Sequence, residues 1–219
     1  MKEINIIDFG LMGKQISALF YLLGYEIGVY NKSKLNIYEF EKQIKLLQRK
    51  IDFSNFNAGK INIYQHIEDL KNSLTIESLN EDLNLKKEIM QILRDNNIVF
   101  SNSSSLSMDD LNCDFIHFFN TIYIKLIELC GSNLERFTPL KDLKKLGFHI
   151  ICSKGNRGAL ANLLLFNEIS SFFKIIEKYD YNFKECQTVY DLLYEKRNLL
   201  NIIDTIGIEL CNKICKNLK

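Results

Sequence analysis

The sequence predicts an α/β fold in which a mostly parallel sheet is followed by a small all-α C-terminal domain. Three observations carry that expectation. Short apolar runs alternate with amphipathic stretches of helical period from residue 3 to residue 153. A glycine turn joins the first run to the first helical pattern. Beyond residue 155 the strand signals stop and only helical patterns remain. Strands separated by helices need crossover connections, which places them parallel with both sheet faces covered.

In order along the chain, "EINII" (3–7) reads as a buried strand and "LMGKQISALFYLLG" (11–24) as a helix closed by Gly24. "EIGVY" (26–30) is a second strand, and "IYEFEKQIKLLQRKI" (37–51) an amphipathic helix. "INIY" (61–64) and "LTIES" (74–78) are short strands. Residues 81–95 carry Ile89, Ile92 and Leu93 at helical spacing, with acids early and bases late, as the helix dipole favours. "NIVFSNSSS" (97–105) is a strand running into a polar loop. "DFIHFFN" (114–120) and "IKLIELC" (124–130) are strands joined by a turn at Thr121–Tyr123. A helix over 134–146 and the strand "FHIICS" (148–153) complete the alternation. Residues 157–177, 183–196 and 198–218 read as three helices, which divides the chain into domains 1–154 and 155–219.

At 219 residues and 47% hydrophobic composition the chain can bury a core. Lys+Arg 28 against Asp+Glu 27 leaves a net charge of +1, with no bias toward nucleic acid or an anionic membrane surface. Six cysteines form no C-x-x-C pair and several sit in apolar runs, where Cys packs as a small hydrophobe; no metal site is expected. No apolar run approaches the roughly 20 residues of a membrane span, and no secretory signal stands at the N-terminus, so a reduced, cytoplasmic protein is expected.

The first chemical signal is "INIIDFGLMGKQISALF". Gly10 and Gly13, with Leu11 and Met12 between them, supply the second and third glycines of the G-x-G-x-x-G turn, in which backbone meets a pyrophosphate at a helix N-terminus. Asp8 stands where the first glycine should be, and its charge is unfavourable beside a dianionic pyrophosphate. The second strand ends at Asn31 and Lys32, where a Rossmann-like domain usually places an acid on the adenosine ribose. An amide can hydrogen-bond a ribose hydroxyl and a lysine can accept a 2′-phosphate, so both NAD and NADP are allowed as cofactor.

Four segments downstream, "NEDLNLKKE", "SNSSSLS", "HFFN" and "KLIEL", occur in that order. Together they resemble the 3-hydroxyacyl-CoA dehydrogenase family, and the resemblance runs from Lys2 to about Leu210. It implies an oxidoreductase of fatty acid metabolism that interconverts a 3-hydroxyacyl and a 3-oxoacyl thioester with a nicotinamide cofactor. By the same resemblance Ser104 hydrogen-bonds the substrate's 3-oxygen, His117 is the general acid/base, and Glu128 orients it. In "GALAN", Gly158 and Asn162 match the glycine and the active-site asparagine that open the helical domain. Glu81 and Lys86 match positions near the nicotinamide ribose, and Asn102 the strand-end asparagine beside the ring.

That chemistry is reasonable for these residue types. Histidine can take and return a proton near neutral pH. A carboxylate on its other nitrogen fixes the tautomer, and Ser and Asn hydroxyl and amide groups can hydrogen-bond an oxygen whose charge changes. His66 and His149 lack such surroundings and read as structural or surface residues. The departures from the family pattern are Asp8, Asn31, Thr121 in place of a proline, "KGNRGAL" in place of the interdomain segment, and a shortened helical domain. The acyl group is therefore expected on CoA or on an acyl carrier protein. The alternative is a non-enzymatic member that uses its cleft as a binding or assembly module. Exposed apolar faces on the C-terminal helices allow a homodimer.

Overall fold

The structure is a computed structural model that describes residues 2–32, 36–94, 97–153, 158–194 and 198–218. The chain divides into two compact units, Met1–Asn156 and Arg157–Lys219. Residues 154–157, where the sequence placed the domain boundary and the altered interdomain segment, lie outside the described residues.

The first unit is built on an eight-stranded sheet of order β3-β2-β1-β4-β5-β6-β7-β8. Its strands are β1 (Glu3–Ile7), β2 (Glu26–Tyr30), β3 (Lys60–Tyr64), β4 (Leu74–Glu77), β5 (Ile98–Ser101), β6 (Asp114–Phe118), β7 (Leu126–Cys130) and β8 (His149–Ser153). All neighbours are parallel except β6 and β7. The strands at the centre are apolar on both faces, as burial on both sides requires; Ile4, Ile6 and Ile7 of β1 are all 0% exposed.

The helices of this unit are α1 (Leu11–Leu22), α2 (Ile37–Gln48), α3 (Leu83–Leu93), the short α4 (Met108–Leu111) and α5 (Leu140–Lys145). Gly24 ends α1 at φ 85°, the left-handed stop expected of it. Asn36 caps α2 by accepting from the Glu39 amide, and Asp82 caps α3 by accepting from the Asn84 and Leu85 amides. The helix α4 was not foreseen; Ser107 and Asp110 close a capping box around its first turn. The single helix expected over 134–146 is a 3-10 turn at Leu134–Arg136 followed by α5, because Pro139 interrupts the pattern and becomes the N-cap of α5.

The second unit is all helical among its described residues, with α6 (Leu160–Tyr179), α7 (Phe183–Leu193), α8 (Leu199–Ile206) and α9 (Ile208–Asn217). The expected helix 198–218 is therefore two helices, split at Gly207, whose φ of 92° no continuous helix can contain. Phe166 and Ile169 of α6, Leu199 and Ile203 of α8, and Cys211 and Ile214 of α9 form the small core of this unit. No helix among the described residues is long and apolar enough to cross a membrane.

Candidate active site

The strand order reverses direction at β1: β2 lies on one side and β4 on the other. In open parallel sheets, ligands bind outside the carboxyl ends of the strands at that reversal. The segments that leave those ends here are the Asp8–Gly13 turn after β1, Ser78–Glu81 after β4, Asn102–Ser105 after β5, and Phe119–Asn120 after β6.

The glycine turn is tightly built. A Cβ on Gly13 would stand 2.2 Å from the Asp8 carbonyl oxygen, so only glycine lets α1 pack this closely. Asp8 takes a φ of 76°, the left-handed backbone that the first glycine of the fingerprint ordinarily supplies. Its carboxylate folds back along the turn and accepts a hydrogen bond from the Gly10 amide at 3.0 Å. The Phe9 amide donates to the side-chain oxygen of Asn31 at 3.1 Å. Asn31, expected on the ribose, thus commits one oxygen to bracing the turn, while Lys32 is exposed beside it. Residues 33–35 lie outside the described residues.

The turn still fits a dinucleotide. α1 begins with no side-chain cap and no acid in its first turn, and Leu11 is 53% exposed. The amides of Leu11, Met12 and Gly13 have no helical carbonyl to meet, which is the arrangement that accepts a phosphate.

Behind the site lies a polar network that sequence reading missed. Glu77, the last residue of β4, is 0% exposed. Its carboxylate accepts from Lys86 Nζ at 2.6 Å, Ser101 Oγ at 2.6 Å and the Leu79 amide at 2.5 Å. Lys86 also donates to the Leu79 carbonyl. Lys86 was expected beside the nicotinamide ribose. It is instead fully buried, its ammonium held by Glu77, because it shares the inward face of α3 with Ile89, Met90 and Leu93. A glutamate closing an apolar strand, with a lysine on the apolar face of the next helix, was the available signal.

From Ser101 the network passes to the loop. The Ser103 amide donates to Ser101 Oγ, and Ser103 Oγ donates to the Glu81 carboxylate, which also accepts from the Ser104 amide. Glu81, the other residue expected near the ribose, therefore holds the Ser103–Ser104 loop in place. Asn102 extends the sheet beyond its strands: its amide donates to the Glu77 carbonyl at 2.7 Å, and its side-chain oxygen accepts from the Phe118 amide at 2.8 Å.

His117 and Glu128 are directly opposite each other in the antiparallel β6–β7 ladder. Such cross-strand partners have Cβ atoms about 5 Å apart. Alternation along the two strands sends Ile116, Phe118, Ile127 and Leu129 into the main core and turns His117 and Glu128 together to the other face. Both are buried, at 5% and 0% exposure. Burial holds the His117 imidazole below the ordinary histidine range, while the Glu128 and then the Glu81 carboxylates pull it upward. The ring packs edge-on against Phe119 at 4.4 Å, and its buried Nδ1 closes no hydrogen bond among the described residues.

The first unit thus brings Ser104, His117, Glu128, Glu81 and Asn102 to the same edge of one sheet. Asn162 stands in the first turn of α6, in the second unit, after Gly158 at φ 76°. Thr121, in place of the family's proline, is 0% exposed and donates from its hydroxyl to Gln15 of α1 at 3.4 Å, linking the segment after β6 to the glycine-turn helix.

Residues 3–140 match the family model described as 3-hydroxyacyl-CoA dehydrogenase, NAD binding domain. The chain belongs to the 3-hydroxyacyl-CoA dehydrogenase family. A curated relative, 3-hydroxybutyryl-CoA dehydrogenase of Clostridioides difficile, is 27% identical over 157 residues, covering 60% of this chain and 55% of that protein. The chain therefore spans little more than half the length of that relative. Among solved structures, FadB2 of M. tuberculosis superposes with a TM-score of 0.81 at 19% identity, covering 100% of this chain and 87% of that one. The (S)-3-hydroxybutyryl-CoA dehydrogenase PaaH1 of Ralstonia eutropha gives a TM-score of 0.80 at 20% identity with the same coverage. These two likenesses establish the 3-hydroxyacyl-CoA dehydrogenase fold for this chain, and the cofactor class of its family domain is NAD.

Proposed function

We propose that this member of the family is an NAD- or NADP-dependent oxidoreductase that interconverts a 3-hydroxyacyl and a 3-oxoacyl thioester, with His117 as general acid/base. The observation that carries this reading is the His117–Glu128 pair, set face to face by strand register and buried beside the Ser103–Ser104 loop.

The nicotinamide, when bound, supplies the hydride chemistry. Gly10, Leu11, Met12 and Gly13 would hold its pyrophosphate, with Asn31 and Lys32 at the ribose side. Burial keeps the His117 imidazole neutral at rest, so it can accept the proton of a secondary alcohol. Glu128 favours the imidazolium as it forms. The Ser104 amide is anchored on Glu81, and that residue's hydroxyl is assigned the hydrogen bond to the oxygen whose charge changes. In the reverse direction the protonated His117 returns its proton to that oxygen. The acyl carrier is CoA or acyl carrier protein.

The test follows loss of NADH or NADPH absorbance with acetoacetyl-CoA and acetoacetyl-acyl carrier protein. His117→Gln is expected to slow turnover by about 10²–10⁴-fold with nucleotide binding unchanged. Turnover retained in His117→Gln, or no turnover of either thioester by the wild type, overturns the reading. A non-catalytic binding role has one observation in its favour, the Asp8 carboxylate on the Gly10 amide. It predicts that no nicotinamide nucleotide saturates the protein.

A further inference from the structure

We infer that Asp8 is a built-in rival of the nucleotide diphosphate, so that a dinucleotide enters the glycine turn against the charge of the Asp8 carboxylate. The inference rests on the reading of that turn as the nucleotide seat. One contact of the turn leads to it, seen as a hydrogen bond and as the space it fills.

The first is the hydrogen bond. Asp8 Oδ2 accepts from the Gly10 amide at 3.0 Å, one of the donors at the mouth of α1. The second is space. The second glycine of the fingerprint leaves its Cβ side empty so that backbone can meet the pyrophosphate. Here a Cβ on Gly10 would lie 2.9 Å from Asp8 Oδ2, so the carboxylate already occupies that side. Gly10 is thus open toward an anion, and the anion nearest to it belongs to the chain itself. Asp8 also holds a φ of 76°, rarely adopted by L side chains, so this position does not need an aspartate for the backbone's sake. Glycine would satisfy the turn at no strain.

A diphosphate arriving at the Leu11, Met12 and Gly13 amides meets a like charge beside it, on the Gly10 amide. This turn is exposed, and at a water-like dielectric a unit charge about 5 Å from a dianionic diphosphate weakens binding by about tenfold. The rivalry acts on phosphate, so it weakens NADH and ADP alike and leaves adenosine untouched.

The test compares wild type, Asp8→Asn and Asp8→Gly, each first shown to melt cooperatively. Calorimetric titration with NADH, ADP and adenosine follows. Asp8→Asn keeps the shape and an acceptor oxygen but removes the charge. It is expected to bind NADH and ADP about tenfold more tightly, and Asp8→Gly more tightly again, with adenosine unchanged. Equal NADH affinity in wild type and Asp8→Asn overturns the inference while the nucleotide reading stands. Weaker binding by Asp8→Gly, or an equal gain for adenosine, also overturns it. No NADH or ADP binding by any of the three folded proteins overturns this inference and the nucleotide reading together.

Discussion

Lys86→Met is the sharpest test of how the floor of the site is held. Lys86 and Glu77 are both 0% exposed, and their side chains meet at 2.6 Å. Methionine keeps most of the lysine stem and removes the ammonium. Glu77 would then keep two of its donors, Ser101 Oγ and the Leu79 amide, and the Leu79 carbonyl would lose its contact with Lys86. Removing one partner of a buried ion pair costs about 3–5 kcal/mol. In a domain of this size each kcal/mol lowers the melting temperature by about 2–4 °C, so a fall of roughly 6–20 °C is expected. Thermal and urea melts followed by circular dichroism measure it. The companion variants are Glu77→Gln and the double variant Glu77→Gln/Lys86→Met. Because the double variant leaves no charge stranded, it is expected to recover at least about 2 kcal/mol relative to the sum of the singles. A loss below about 1 kcal/mol for Lys86→Met, or strict additivity in the double variant, refutes the view that this pair is a closed internal contact.

Three further outcomes are expected. With His117 as the proposed base, alcohol oxidation needs its neutral form, so the rate rises with pH through the His117 transition; Glu128→Gln removes a charge that raises that transition, and the limb in a pH–rate profile moves to lower pH. Because the folded His117 titrates below its unfolded value, the unfolded chain binds the extra proton first; the stability that His117 contributes is present above pH ~6.5 and lost as pH falls through the folded value, and His117→Asn should flatten that acid loss in urea melts. Gly207→Ala meets no atom within 4 Å, so its cost is conformational alone; the φ of 92° predicts about 1–3 kcal/mol lost from the helical unit, read as earlier loss of helix on heating.

Strand positions were legible because buried parallel strands are short apolar runs with turn residues at their ends. Glu3–Ile7 and Glu26–Tyr30 sit where that pattern put them, and the others agree to within a few residues at their ends. Helix ends were less legible. Apolar period continues through Gly207 and across Pro139, so it cannot show that the first forces a break by its φ or that the second begins α5 late. Of the site, the order "SNSSSLS", "HFFN", "KLIEL" pointed to the family and to His117 and Glu128 as matched residues, and the register of β6 and β7 sets those two opposite each other. What escaped was the destination of charged groups. Lys86 on a helix reads as a solvated cation unless its spacing to Ile89, Met90 and Leu93 is weighed. Nothing in a linear reading shows that Asp8 folds back on Gly10, since that depends on a single backbone torsion.

The antiparallel ladder between β6 and β7 also bears on how the protein breathes. His117 and Glu128 are joined through main-chain pairing on strands whose other face lies in the main core, whereas Ser103 and Ser104 hang on side-chain contacts from Glu81. Local openings release loops long before they release central strands. The two groups proposed to handle the proton should therefore exchange their amide hydrogens only with global unfolding of the unit, while the serine loop exchanges through small, frequent fluctuations. Loop motion that admits or discharges a substrate would leave the spacing of the proton-handling pair unchanged.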